Sequence, residues 1–374
     1  MVTKHKMKNT EIGLLPEDWD VKSLSEIGVF SKGFGITRDQ AQSGNIPCIR
    51  YGEIYTTHHN YIRRFCSYIS QEITNTSTKL KTGDILFAGS GETKEEIGKA
   101  VAFVGREDAY AGGDIIILSP KINVSSLFLG FVLNNESSVK QKSSLGQGDA
   151  VVHIHAKELA GVLVPFPNHD EQHAIASVLS EMDTMILRLE QVIAKKKMMK
   201  EGAMQQLLTG KVRLKGFMEP WVEKSMMEIG QTYNGITGKG KADFGHGNSR
   251  YITFLNILNN PSININELES VDIDPINDGQ NEVRKGDLFF NTSSETPEDV
   301  GTCSTLLHDV ENVYLNSFCF GFRLKDSEIS GLFMSYYFRS EIGRREMATL
   351  AQGATRYNLS KENFYKIIGK ALCA

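Results

Sequence analysis

Acidic, basic and imidazole side chains stand at spacings that could do chemistry in three places. Asp84, Glu92 and Lys94 follow the order of a metal-dependent nuclease, in which carboxylates hold a divalent ion and a lysine aids the attacking water. His153-Ile154-His155 alternates as a strand does and offers two imidazoles, but no cysteine or carboxylate completes a metal site at ligand spacing. Ala88-Gly89-Ser90-Gly91-Glu92 could lay backbone N–H groups against a phosphate, yet it fits neither the Walker pattern nor the dinucleotide fingerprint. A base methylase is not assembled either: Asn259-Asn260-Pro261-Ser262 lacks the aromatic that grips a flipped base.

The surrounding elements say more, because they occur twice. Gly83-Asp84-Ile85-Leu86-Phe87, Glu92-Thr93 and Ile97-Gly98 return as Gly286-Asp287-Leu288-Phe289-Phe290, Glu295-Thr296 and Val300-Gly301. Trp19 returns as Trp221 and Gln147-Gly148 as Gln352-Gly353, a period of about 203 residues. A period that long means duplicated domains. The second copy has Pro297 where the first has Lys94, which breaks the nuclease order. Asp84 and Asp287 each follow a glycine, so a turn leading into a strand explains them better.

At 374 residues the chain can bury two cores of ordinary size. It is 40% hydrophobic and 23% charged, with no apolar run of membrane-spanning length. Residues 1–10 are basic and polar and lead into no apolar segment, so the cytoplasm is the expected location. Cys48, Cys66, Cys303, Cys319 and Cys373 form an odd set without a C-x-x-C pair and read as reduced packing residues. A net charge of −4 and pI near 6.2 disfavour DNA binding by bulk electrostatics, so any DNA contact must be local or shared with a partner.

Short apolar runs at 85–88, 100–104, 115–118, 288–291 and 318–324 predict strands. Leu127 and Phe131, then Phe333, Tyr337 and Ile342, predict helices over 125–142 and 330–350. Each copy is therefore mixed α and β. Between them, Ile175, Leu179, Met182, Ile186, Leu189 and Ile193 step alternately by four and three, which is a heptad seam. Asn168 offers an N-cap, Asp170 and Glu171 suit the first turn, and Gly210 suits a C-terminal stop. Such a rod is roughly 60 Å long, more than one turn of duplex DNA.

Side chains able to reach bases or phosphates are Arg50, Tyr51, Ser90, Lys94, Gln147 and His153 in the first copy. In the second they are Lys239, Lys241, Arg250, Tyr251, Ser293, Gln352, Arg356 and Tyr357. Outside the framework the copies diverge. Ser31-Lys32-Gly33-Phe34-Gly35-Ile36 stands against Tyr233-Asn234-Gly235-Ile236-Thr237-Gly238, and Gly148-Asp149-Ala150-Val151 against Gly353-Ala354-Thr355-Arg356.

These residues resemble the specificity subunits of type I restriction and modification systems. The likeness is carried by Leu15-Pro16-x-x-Trp19, by Val164-Pro165-Phe166-Pro167 with Asp170-Glu171-Gln172, Ile175-Ala176, Leu179 and Asp183, and by Gln205-Gln206-Leu207-Leu208-Thr209-Gly210-Lys211-Val212-Arg213. The resemblance implies an α+β chain: a target recognition domain over 1–167, a coiled-coil-type spacer helix over 168–210 and a second recognition domain over 211–374. Each domain would read one half of a split target in double-stranded DNA, with no catalysis in this chain. Two modification subunits would methylate adenine with S-adenosylmethionine, and restriction and translocase subunits would use ATP and magnesium, so those cofactors belong to partners. The second copy runs through Ile367-Ile368-Gly369-Lys370 to Ala374 without a second spacer helix. The expectation is therefore a subunit whose seam pairs with a second copy of itself or with a modification subunit. Competing expectations are a stand-alone nuclease and a coiled-coil adaptor without DNA binding.

Overall fold

The computed structural model describes residues 6–353 and 355–370. Residues 1–5, Ala354 and residues 371–374, Cys373 among them, lie outside the described residues. Two compact units divide the chain, Met1–Leu189 and Glu190–Ala374.

In the first unit the strand Ile85–Ala88 is buried throughout, because it lies between two cores. The period of two sends Ile85 and Phe87 to a cluster with Leu24, Ile27, Leu118, Phe128 and Val164. Leu86 and Ala88 go to another, with Ile49, Ile54, Phe103 and Ile117. A strand covered on both faces reads as an unbroken apolar run, hence Ile-Leu-Phe-Ala. It sits inside an antiparallel sheet of order Ala100–Ala102, Ile85–Ala88, Ile115–Pro120, Gly28–Lys32. A second sheet runs Ser67–Ile69, Ile46–Ile49, Tyr110–Ala111, Thr78–Lys79, with Tyr110–Ala111 parallel to Ile46–Ile49.

The second unit repeats the first sheet strand for strand: Cys303–Thr305, Leu288–Asn291, Cys319–Leu324, Gly230–Asn234. Its core alternates likewise, with Leu288 and Phe290 on one side and Phe289 on the other. Phe244–Ile252 again runs parallel to Val313–Leu315. The expected mixed fold, two repeated domains joined by a long helix, is what the structure shows.

The predicted helices over 125–142 and 330–350 are each two helices instead. The first breaks into Ser126–Val132 and Glu136–Leu145 where the Asn135 side chain accepts from Ser138 N. The second breaks into Gly331–Arg339 and Glu341–Leu350 where Ser340 Oγ accepts from Gly343 N. A side-chain oxygen that satisfies an orphan N–H starts a new helix where apolar spacing alone reads through.

The helix His169–Leu207 is continuous for 39 residues. Asn168 Oδ1 accepts from Glu171 N, and Gly210 ends the run at φ +69°. Its first turns are built into the first unit. Trp19 Nε1 donates to Glu171 Oε2 at 3.1 Å, and Ser125 N donates to the fully buried Gln172 at 2.9 Å. Gln172 Nε2 donates in turn to Pro167 O, and Asp183 pairs with Arg63 at 2.9 Å. The Asp-Glu-Gln stretch and the opening tryptophan are thus two ends of one anchor. In the second unit Trp221 packs edge-on to Phe333, over Gly210 and under Arg213.

Along the seam, Ile175 packs on the first core while Leu179, Met182, Ile186, Leu189 and Ile193 are exposed. Among the described residues no helix is long and apolar enough to cross a membrane.

Candidate nucleic-acid interface

Three of the predicted residues of the first unit meet in one place. Ser90–Gly91 pairs with Val152–His153, and Ser90 Oγ lies 3.0 Å from His153 Nδ1. Gln147 and His153 exchange both backbone hydrogen bonds, at 2.9 and 2.7 Å, which closes a tight hairpin over 147–153. At its turn Gly148 has φ +109°, and a Cβ there would stand 2.2 Å from Val151 O, so only glycine fits. Asp149, Ala150 and Val151 project into solvent, while Val152 and Ile154 anchor the hairpin in the core. Tyr55 Oη donates to Ser90 O and Lys99 Nζ to Tyr55 O, fixing the base of the hairpin from the other side.

The second unit builds the same device with different tips. Ser293–Ser294 pairs with Tyr357–Asn358, and Gln352 and Asn358 exchange backbone hydrogen bonds at 2.9 and 2.8 Å. Gly353 stands at φ +135°, and Arg356 is exposed beyond it, with Tyr357 half-buried. The docking bonds correspond too: Ile154 N to Gly89 O in one unit, Leu359 N to Thr292 O in the other. A fixed stem with a variable tip suits recognition, since backbone pairing sets position and side chains set selectivity.

Arg50 and Tyr51 line a different feature, a groove of about 480 Å³ with Lys32, Phe34, Arg38 and Asp114. Lys32 and Arg38 are further cations that the sequence did not single out. Lys32 lies in the diverging loop 31–36, whose Gly35-Ile36 pair stands at positive φ, and Arg38 follows just beyond that loop. Lys94 lies in an exposed loop away from regular structure.

In the second unit Lys239 is held by Asp278 at 2.7 Å, which raises its pKa, while Lys241 and Arg250 are exposed. Tyr251 is 8% exposed, packed with Ile236, Val271, Ile273 and Tyr314, and donates to Glu269 Oε2 at 2.7 Å. Burial and that carboxylate push its phenol up to about 12, and it offers a ligand little surface.

The nuclease order does not assemble as chemistry. Asp84 is 3% exposed and spent on the turn, accepting from Lys81 N at 2.8 Å and Ser119 Oγ at 2.6 Å. Asp287 is spent likewise on Arg284 N, Tyr233 Oη and Arg323, whose guanidinium stacks on Tyr233. Among the described residues no cluster of three or more His, Cys, Asp or Glu could hold a metal ion. Cys48, Cys303 and Cys319 are buried free thiols and Cys66 is an exposed one.

Comparisons with known proteins add the following. The family described as type I restriction modification DNA specificity domain matches residues 16–197. A putative type I restriction enzyme specificity subunit, MjaX, of Methanocaldococcus jannaschii is 28% identical over 218 residues, 55% of this chain and 49% of that protein. The MjaVIII specificity subunit of the same organism is 27% identical over 231 residues, 57% of this chain and 51% of that protein. The chain thus spans about half the length of the curated relatives it matches. Among solved structures, a type I restriction-modification S subunit from M. genitalium aligns with TM-score 0.55 at 14% identity, over 94% of this chain and 83% of that one. A chain from a structural study of assembly and conformational transition in a type I R-M system aligns equally well, with TM-score 0.55 at 14% identity over 95% and 86%. Likeness at that identity shows the fold.

Proposed function

We propose that the chain is the DNA specificity subunit of a type I restriction-modification complex, a reading supported by the likeness of residues 16–197 to the type I restriction modification DNA specificity domain. Its two units read the two halves of a bipartite target. The observation that carries this reading is the duplicated stem: the same paired strands hold Ser90, His153 and Gln147 in one unit and Ser293, Asn358 and Gln352 in the other. The stems correspond in pairing while the tips differ in side chains, so one chain presents two readers of unlike chemistry, as a dimer presents two like ones.

In this reading the chain catalyses nothing. Modification subunits methylate adenine with S-adenosylmethionine, and restriction and translocase subunits act with ATP and magnesium. The modification subunits dock on the long helix, whose seam from Leu179 to Ile193 supplies the apolar contact surface that docking requires. A second copy of the chain is the other candidate for that seam. Cytoplasmic location follows from the DNA substrate. The reading is tested by sequencing the methylome of cells that express this chain with its modification subunit. A methylated motif of two defined parts separated by an unspecified gap is the expected result.

A further inference from the structure

The groove beside Arg50 is not part of the stem and hairpin, and its chemistry points to a ligand. Lys32, Arg38 and Arg50 line it together with a single carboxylate, Asp114. Exposed aromatic rings, Phe34 at 69% and Tyr51 at 42%, also line it. The loop between them is built rather than loose. Gly33 approaches Gly112 O so closely that a Cβ would stand 2.0 Å from it, and Gly113 N donates to Gly35 O at 2.9 Å. Ile36 is held at φ +59°, a region a β-branched residue rarely adopts, because its side chain is locked among Ala41, Cys48 and Ile69. That strained conformation is kept in a loop that displays Phe34 outward.

The matching loop of the second unit is closed by its own chain. Gln280 clamps Thr237 in both directions, accepting from its N at 3.0 Å and donating to its O at 2.9 Å. Asn281 donates to Asn234 O, and Lys239 is neutralised by Asp278. Ile236, 3% exposed, is inside rather than outside. The covering segment carries Asp272, Asp274, Asp278 and Glu282, a charge that repels an anion.

We propose that the groove of the first unit is a seat for a backbone phosphate of duplex DNA, and that the electrostatic hold on DNA is therefore carried unequally by the two units. The inference rests on the specificity-subunit reading and adds to it a site, a ligand class and an asymmetry. Phosphate contacts fix register without reading bases, so the seat positions the first hairpin for its half-site.

The test uses the full chain with its modification subunit and a mixed-sequence 40-base-pair duplex, with affinity measured against salt concentration. In the double variant Lys32→Gln, Arg38→Gln the slope of log affinity on log salt falls in magnitude by about 1, and affinity at low salt falls about tenfold. Lys285→Gln, which removes a cation already paired with Asp309 in the second unit, leaves the slope unchanged. Inorganic phosphate raises the melting temperature of the wild type and not of the double variant. An unchanged slope in the double variant overturns the seat while the specificity reading stands. Phosphate stabilisation without a change in DNA slope also overturns it, assigning the groove to a free anion. Failure of the wild-type assembly to bind DNA overturns both readings.

Discussion

Replacing Lys142 by Met changes how stability depends on pH, and the structure sets the size of the effect. Lys142 is 2% exposed, inside the first core, and its Nζ donates to Gly98 O and Leu133 O, both at 2.7 Å. The equivalent place in the second unit holds Met347, fully buried against Gly301 as Lys142 lies against Gly98. Burial pulls the Lys142 ammonium down to about 7 from an ordinary 10.5. Since the folded value lies below the unfolded one, the unfolded chain binds more protons between them, and stability rises with pH across that window. One pKa unit corresponds to about 1.4 kcal/mol, so the wild type gains roughly 2 kcal/mol between pH 7 and pH 9 from this group alone. The penalty is fully present below pH 7. Urea unfolding of wild type and Lys142→Met at pH 6, 7, 8 and 9 isolates the effect as a difference between two curves. Parallel curves would refute the reasoning, because they would mean that Lys142 carries the same proton folded and unfolded.

The two turn aspartates differ in what they hold. Asp287→Ala strands Arg323 and Tyr233 and costs about 3–5 kcal/mol, whereas Asp84→Ala releases only Ser119 Oγ and Lys81 N and costs about 1–3 kcal/mol; denaturant midpoints rank them. On the long helix, Met182 and Ile186 are 51% and 55% exposed, so changing both to Glu leaves thermal unfolding of the chain nearly unchanged. The same double change abolishes co-elution with a modification subunit or with a second copy, as read by light scattering. Persisting association would remove the seam from the account.

The framework was legible because it is written twice and because its strands are covered on both faces. Gly83-Asp84 and Gly286-Asp287 announce a turn and a buried strand, and both are there. The long helix was legible from its heptads and from Asn168 and Gly210, since caps and apolar period agree. Helix breaks at Asn135 and Ser340 were missed, because a polar residue between two apolar helical runs reads as an exposed position within one helix. The candidate site was legible only in parts. Ser90, Gln147 and His153 come together through strand pairing across some sixty residues, which no local pattern reveals. Lys32 and Arg38 join Arg50 through a loop whose path is set by Ile36 packing rather than by propensity. In the second unit the segment 272–282 folds back over loop 233–238 through side-chain amides, and that leaves no periodic trace. The same non-local packing takes Tyr251 inside, although an Arg-Tyr pair at 250 and 251 mirrors Arg50 and Tyr51 in sequence.

The central claim is that each unit's hairpin tip reads its own half of a divided target. The direct measurement is methylome sequencing of cells expressing, with a modification subunit, either the wild type or a variant whose tip Gly148-Asp149-Ala150-Val151 is replaced by Gly353-Ala354-Thr355-Arg356. The account predicts a two-part motif for the wild type, and for the variant a change confined to one part with the gap and the other part kept. A motif without two parts, or an exchange that alters both parts or neither while methylation persists, would contradict it.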